Sequence, residues 1–592
     1  MKRLLDCYQT LRPQQGWLLL ALFAAVITIT FRMGSLPLIN PDEGRNAEVA
    51  REMKERGAWL VPTYDGVNYL DKPALYFKAV AVSLAVFGDN ELAARIPSAV
   101  FGFAILALVW MFCLRECGPR VAALAVLVIA TTPLFVSQAR TVIFDIALAL
   151  FVSLSIFAGY WAETYSGRKR TMAYLMAAAA SGVATLVKGP VGLIVPLLVL
   201  LTFHAVERRS GAWKRLLSPV HALVYLALVL PWFLGLVWTH PDFLHYGLVE
   251  ETLNRFATGQ FHRTAPPYYF LWVLPVTFFP WSLLLSAGLL VARHWRDLPR
   301  VSRLSVVWSL SVVVFFSVSQ SKLPGYILSV SIPFGILVAQ LFDAALRNPA
   351  GAAARHVRFA AGSLAFLMLL TAGAVLVASP AMGILSHSVR IPRSDFTIWD
   401  FSPSMLPLAV MLLALTALGA WGWFRRRPTP IVLVFGLLPV SLVILGAGVF
   451  LTVYESRSGR AVAVRMGPIA PTTELVFYRC FPAGLPFYLG RTAQLVTRDG
   501  SELSSNYAVY ALRNSAVWPE GVIRPEGFDR WLQESRKSVY LIVNESERHW
   551  LEILAQSHGS TVNTLSRRYS GALLPPGARF PHEAERRDVP VL

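Results

Sequence analysis

The chain is poor in charge and poor in cysteine. Charged residues fill 15% of the 592 positions, where a soluble globular protein carries about 25%. That shortfall argues against an ordinary soluble enzyme. The 4 cysteines are too few and too scattered for a disulfide framework: Cys7, Cys113 and Cys117 fall near one predicted side of a membrane, and Cys480 stands alone in the tail. Cys113 and Cys117 have no histidine or second cysteine pair beside them, which argues against a metal site there. The histidines show no H-E-x-x-H spacing, so zinc hydrolysis is not indicated. There is no internal repeat and no low-complexity tract beyond apolar bias. No A-x-A cleavage site follows the first apolar run, so the N-terminus reads as an uncleaved signal anchor. Acids are the scarcer sign, 35 against 54 Lys and Arg, for a formal charge of +19. Nucleic-acid binding does not follow, because the basic residues sit in short loops between apolar runs, where they set topology.

What is abundant is apolar. Hydrophobic residues make up 55%, and the mean hydropathy is +0.52. Runs of about 20 apolar residues recur, the length that crosses about 30 Å of hydrocarbon. A β-barrel would show short alternating segments instead. The expected fold is a polytopic α-helical membrane protein with about 13 transmembrane helices, the first over roughly 16–34, others over roughly 189–205 and 267–291, and the last over roughly 430–452, with an outer loop over 380–403. With the N-terminus inside, the inner loops "LRECGPR", "ETYSGRKR", "ERRSGAWKR", "ARHWRDLPRVSR", "LRNPAGAAARHVR" and "WFRRRPTP" are all short and basic. The odd count puts the tail outside. The expected division is a membrane domain over 1–454, whose first outer loop (35–94) carries two amphipathic helices, and a soluble α/β domain over 455–592. In that tail "ELVFYR", "AQLVTR" and "SVYLIVN" read as short buried strands, and "EGFDRWLQESR" and "ESERHWLEILAQS" as amphipathic helices. The last ~15 residues are expected to be loose.

The residues able to do chemistry concentrate on the outer face. In "INPDEGRNAEVAREM" (39–53) Asn40 reads as an N-cap and Pro41 as the first helical residue. Asp42 and Glu43 then fall in the first turn, where the helix dipole favours anions, and Glu43 can complete a capping-box-like arrangement. Capping alone therefore accounts for these acids, and Glu48 and Glu52 read as ordinary helix acids. In "NYLDKPALYFKAV" Lys72 can snorkel from an interfacial helix or face a phosphate. Asp145, just inside the outer end of a span, costs a few kcal/mol unless paired or facing a cavity; Arg140 is the candidate partner. Lys188 in "LVKGPVGLIVP" interrupts an apolar stretch at an outer turn and needs an anion. In "SVSQSKLPGYILSV" Lys322 ends one span, and Tyr326 serves either an aromatic belt or a phosphate. The 240–266 loop adds His245, Tyr246, Glu250, Glu251, Asn254, Arg255, His262 and Arg263, with Glu251 and Arg255 spaced for an ordinary helical ion pair. Cations near an interface can neutralise a lipid phosphate, and carboxylates beside them can position a nucleophile or stabilise charge on a sugar. A transporter would bury such charges near the membrane centre and pair broken helices. A sensor would use the tail alone.

At these positions the chain resembles the ArnT-like lipid A aminoarabinose transferases, relatives of the protein O-mannosyltransferases in the GT-C class. The resemblance runs through "NPDEGRNAEVAREM", "GAWLVPTYDGVNYLDKPALYF", "FD" at 144–145, "VKG" at 187–189, "HYGLVEETLNRFA", "HRTAPPYYF", "SKLPGYIL" and "LPFYLGR". It implies a GT-C glycosyltransferase of the bacterial inner membrane, with active site and tail on the periplasmic side, that takes a sugar from a polyprenyl phosphate. Lipid A is the implied acceptor and protein the alternative. It implies Asp42 and Asp145, with Glu43 beside the first, as the catalytic acids. It implies Lys72, Lys188, Arg45, Tyr69, Arg255, Lys322 and Tyr326 as the substrate-binding set. The family's "EKP" is "DKP" here, at Asp71, so ligation of a divalent metal there is open and no other cofactor is implied. The partners implied are the lipid-linked donor, the acceptor and membrane lipids, with no nucleic acid and a monomeric chain.

Overall fold

The computed structural model describes residues 2–254, 264–288, 293–379, 398–515 and 517–580, backbone alone over 2–14, at 253 and at 398–399. Most of the outer loop expected over 380–403 and the extreme C-terminus lie outside the described residues. The chain forms two compact units.

The first unit comprises residues 1–33, 97–234 and 248–450. Among the described residues nine helices are long and apolar enough to cross a membrane, and the pair Pro119–Ala130 and Pro133–Ala139, bent by 71°, makes ten. Three of the about 13 expected segments fall outside that count. The first lies in the 29-residue helix Lys2–Thr30, of which side chains are described from Gln15, and the span expected over 189–205 is the 16-residue helix Val191–Val206. The span expected over 267–291 is broken into a 9-residue helix Tyr269–Thr277 and a 3₁₀ turn Trp281–Ala287. Pro275 and Pro280 interrupt its backbone ladder, because proline lacks the amide N–H a helix interior needs. Nine residues rise only about 14 Å.

Helices close on one another through aromatic cores. Phe112 stacks on Phe157 at 3.9 Å between ring centroids, and Phe157 meets Trp308 edge-on at 5.7 Å. Aromatic pairs in these geometries add about 0.5–1.5 kcal/mol beyond area burial. Leu223, Leu234 and Phe366 remain mostly exposed, as a lipid-facing surface requires. Thr28 donates to the Ala24 and Ala130 carbonyls, both at 2.7 Å, satisfying a hydroxyl that water cannot reach.

The second unit comprises residues 34–96, 235–247 and 451–592. The structure therefore draws its boundaries differently from the expected 1–454 and 455–592. The first outer segment clusters with the tail because its side chains satisfy tail backbone groups. Tyr64 donates to the Ala483 carbonyl at 2.9 Å, and Asp65 accepts from the Ala493 amide at 2.8 Å. The Leu38 amide donates to Tyr488 at 2.7 Å. Gly44 lies so close to the tail that a Cβ there would stand 2.6 Å from the Gly484 Cα.

Within the segment, helix Asp42–Arg56 is followed by a hairpin of β1 (Thr63–Tyr64) and β2 (Val67–Asn68) and by helix Leu75–Phe87. Asp65 and Gly66 take φ of 52° and 76°, the left-handed pair that an Asp-Gly type I′ turn demands. The tail holds the strands and helices expected of it. Strands β3 (Glu474–Tyr478), β4 (Gln494–Val496), β5 (Val522–Ile523), β6 (Val539–Asn544), β7 (Val562–Thr564) and β8 (Tyr569–Leu574) form one sheet in the order β5-β4-β3-β6-β8-β7. The β5-β4-β3-β6 pairings are parallel and the rest antiparallel. Helices Pro525–Glu534 and Arg548–Gln556 bury Phe528, Leu532, Leu551 and Leu554. Cys113, Cys117 and Cys480 are free thiols.

Candidate active site

In the second unit, helix Asp42–Arg56 presents its first turn as a divided pair of acids. Asp42 is half exposed, its side chain 53% accessible, and Arg45, 8% accessible, binds it at 2.6 Å. The same guanidinium donates to the Ser504 carbonyl at 3.0 Å and lies 5.9 Å from the Tyr69 ring centroid. Its Nε is buried and has no partner. Asp42, Arg45 and Tyr69 are thus brought together.

Glu43 is turned the other way. It is buried and holds Arg95 through two bonds of 2.8 Å, while accepting from the Ile39 amide at 3.1 Å. Arg95 also donates to the carbonyls of Leu36 and Pro37. The geometry gives Glu43 the work of holding the chain that enters the helix, which corrects its expected place beside Asp42 as a catalytic acid. The expected cap also differs: the Asn40 Oδ1 makes no bond, and Glu43 reaches back to residue 39 instead. Arg95 was not anticipated. The signal was present, since a guanidinium at the start of an apolar span needs a carboxylate.

Glu48 and Glu52 are buried as well, which corrects their reading as ordinary helix acids. Arg51 binds Glu48 at 2.6 and 2.7 Å. Glu52 accepts from the Thr63 hydroxyl at 2.7 Å and from the Asp65 and Gly66 amides, so it ties the hairpin to the helix. Burial, opposed by Arg51, raises the Glu48 carboxyl from 4.5 to about 7. A carboxyl whose folded pKa is raised stabilises fully below its unfolded pKa and loses that stability as pH climbs through the folded value. Between about pH 4.5 and 7 the loss at this site is on the order of 3 kcal/mol. Amide exchange in residues 43–56, corrected for intrinsic rate, should therefore quicken from pH 6 to pH 8, and Glu48→Gln should flatten that dependence. An unchanged slope in the variant would remove Glu48 as its source.

Asp71, where metal ligation was open, accepts from the Tyr246 hydroxyl at 2.8 Å and from the amides of Asn506 (3.1 Å) and Tyr507 (2.7 Å). Those amides begin helix Asn506–Asn514, so the carboxylate supplies acceptors to orphan helix donors at the positive end of the dipole. Both of its oxygens are engaged, and among the described residues no group of three or more His, Cys, Asp or Glu could hold a metal ion. Lys72 donates to the Asp71 carbonyl at 2.7 Å.

In the first unit, Asp145 opens helix Asp145–Ala162 and Lys188 closes helix Gly167–Lys188. Each charge stands at the helix end its sign prefers, and the two form an ion pair. Arg140, the expected partner of Asp145, instead donates to the Thr28 and Phe31 carbonyls. It satisfies the C-terminal carbonyls of helix Lys2–Thr30. The Lys188 ammonium lies 4.8 Å from the Tyr326 ring centroid and 5.3 Å from that of Phe144, within cation–π range. The Pro324–Val330 turn comes close enough that a Cβ on Gly325 would stand 3.7 Å from the Asp145 carboxyl carbon. Asp145, Lys188 and Tyr326 are thus brought together, and Phe144 joins them unforeseen. Lys322 is buried and donates to the carbonyls of Ala265 (2.8 Å) and Ser319. Arg255 lies outside the described residues, as do His262 and Arg263.

Comparison with known proteins agrees with this fold. Residues 71–238 match the family model described as dolichyl-phosphate-mannose-protein mannosyltransferase. Undecaprenyl phosphate-α-4-amino-4-deoxy-L-arabinose arabinosyl transferase 1 of Pseudomonas fluorescens is 33% identical over 52% of this chain and 55% of its own length. The Yersinia enterocolitica transferase of that name is 33% identical over 55% of this chain and 58% of its own. The match thus spans a little over half the length of these two relatives. The Pseudomonas paraeruginosa transferase is 30% identical over 68% of this chain and 71% of its own length. Among solved structures, ArnT from Cupriavidus metallidurans bound to undecaprenyl phosphate superposes with a TM-score of 0.77. That match covers 96% of this chain and 99% of the other, at 24% identity, and shares the fold. With its polytopic helical membrane unit and α/β tail, the chain belongs to the ArnT-like, GT-C-class family of undecaprenyl phosphate-α-4-amino-4-deoxy-L-arabinose arabinosyl transferases.

Proposed function

We propose that this protein is an integral-membrane glycosyltransferase of the inner membrane, working at the periplasmic face. It moves 4-amino-4-deoxy-L-arabinose from undecaprenyl phosphate to lipid A. The observation that carries the reading is the Lys188 ammonium, held by Asp145 and flanked by Tyr326 and Phe144 at the ends of apolar helices. A cation tethered there by a carboxylate can turn to a lipid phosphate, while the apolar helices accept the polyprenyl chain. The proposed donor and sugar are those in the names of its relatives, undecaprenyl phosphate and 4-amino-4-deoxy-L-arabinose.

In this scheme Lys188, with Lys322 and Tyr326 among the substrate-binding residues of the first unit, holds the donor phosphate, and Lys72, Arg45 and Tyr69 are the substrate-binding residues of the second unit. The acceptor oxygen attacks the anomeric carbon, the bond to the phosphate oxygen breaks, and undecaprenyl phosphate leaves with inversion at the sugar. Asp42 orients the acceptor, and takes its proton when the acceptor is a hydroxyl. The match to a mannosyltransferase model favours one second reading, transfer to a protein hydroxyl.

The test is mass spectrometry of lipid A and of membrane glycoproteins from strains with and without the gene. Loss of the aminoarabinose mass from lipid A supports the proposal, and loss of a sugar from protein alone replaces it with the second reading. With purified protein, Lys188→Ala should weaken donor binding about tenfold or more, as expected when a charge-assisted bond to phosphate is lost. Unchanged donor affinity would return Lys188 to a structural ion pair.

A further inference from the structure

Away from these clusters, the first unit carries a groove that the transfer reaction does not use. It has a volume of about 520 Å³ and is lined by Arg355, Arg358, Phe359, Gly362, Ser363 and Trp423. Five of these come from the N-terminal part of helix Ala352–Ala378, and Trp423 from the C-terminal end of helix Ser402–Phe424. Phe359 and Trp423 are 66% and 45% exposed, and a Cβ on Gly362 would meet nothing within 4 Å.

The charge here has one sign. Arg355 and Arg358 stand on the helix, and Arg425, Arg426 and Arg427 follow directly after Phe424. Residues 348–394 and 401–454 contain no Asp or Glu. Among the described residues none of these five guanidiniums meets a carboxylate. Arg358 spends one donor on the Pro349 carbonyl at 2.8 Å, and a guanidinium has five. The helix N-terminus nearby adds partial positive charge. From Arg355 to Gly362 the helix advances about 10 Å, the step from a phosphate level to the first part of an acyl chain.

Topology-setting arginines need only lie in the loop. They do not need an aromatic wall or an open apolar floor leading into the membrane. We propose that this groove is a binding site for one anionic glycerophospholipid of the adjoining leaflet. Its phosphodiester sits between Arg355 and Arg358, and its acyl chains run over Gly362 between Phe359 and Trp423. A zwitterionic lipid would bring its ammonium into a field with no acid to receive it. A free phosphate would leave the apolar floor uncovered.

The test uses the full chain in neutral-detergent micelles with phosphatidylglycerol, phosphatidylcholine or inorganic phosphate added, reading retained lipid by native mass spectrometry. One phosphatidylglycerol should be retained per chain, with phosphatidylcholine retained at least tenfold less and no displacement by millimolar inorganic phosphate. R355Q/R358Q should lose phosphatidylglycerol by on the order of tenfold or more. G362L, which fills the floor while keeping every charge and improving helix propensity, should lose it too. Retention by R355Q/R358Q overturns the headgroup site. Retention by G362L reduces the patch to diffuse charge, and equal retention of the two lipids removes its selectivity. Because neither variant touches the Lys188 or Asp42 clusters, sugar transfer in micelles free of phosphatidylglycerol should match the unsubstituted protein and report intact folding.

Discussion

Asp42→Asn is expected to lower sugar transfer by about 10²–10⁴-fold, the range for losing a positioned acid–base group, while leaving the fold in place. Asp42 is the acid of the first turn that faces outward, 53% accessible, and its position is set by Arg45 at 2.6 Å. Asparagine keeps the size and an acceptor oxygen for that guanidinium, and it is tolerated in a first helical turn. Arg45 keeps its bond to the Ser504 carbonyl and its place by the Tyr69 ring. What disappears is the negative charge and the capacity to accept a proton. The loss should therefore appear in kcat at saturating donor, with donor affinity and thermal stability little changed. Transfer at the original rate would end the catalytic assignment. Loss of stability in step with activity would mean that Asp42 only caps its helix.

Arg95→Leu should have the largest effect on folding. Both members of the Arg95–Glu43 pair are almost inaccessible, at 1% and 2%. Removing the guanidinium strands a carboxylate and frees the carbonyls of Leu36 and Pro37. Breaking a buried pair from one side costs about 3–5 kcal/mol, a large share of the 5–15 kcal/mol that holds a domain together. Thermal unfolding in detergent should shift downward strongly, and yield should fall. Glu43→Leu with Arg95→Leu should recover part of the loss, because no charge is then left alone, and a double-mutant cycle would measure the coupling. An unfolding temperature unchanged in Arg95→Leu would show that water reaches Glu43 and that the pair is not structural.

These two substitutions also mark where reading the residues stopped being sufficient. Asp42 and Glu43 are neighbours with equal claims on a helix start, and sequence spacing gives both the same role. They differ because successive helix residues point about 100° apart, so one meets solvent and Arg45 while the other meets Arg95 from more than 50 positions away. Along the chain Glu48 and Glu52 read as ordinary helix acids. Their burial comes from Arg51 and from the hairpin amides at Asp65 and Gly66, partners that carry no period in the chain. Asp145 was legible as a membrane-depth carboxylate in need of a cation. Proximity along the chain pointed to Arg140, whereas the fold supplied Lys188, 43 residues on.

By itself the sequence determined that the chain is a polytopic helical membrane protein with an α/β tail, since apolar run length and short buried strands are local properties. It also marked the stretches where charge interrupts apolar sequence, and the ordered motifs that tie the chain to its family. Tertiary structure alone decided that the first outer segment clusters with the tail. It also decided which acid pairs with which base. Those outcomes depend on hydrogen bonds and ion pairs between residues far apart in the chain. A buried charge takes whichever partner the fold brings within bonding distance, and no local pattern records that distance.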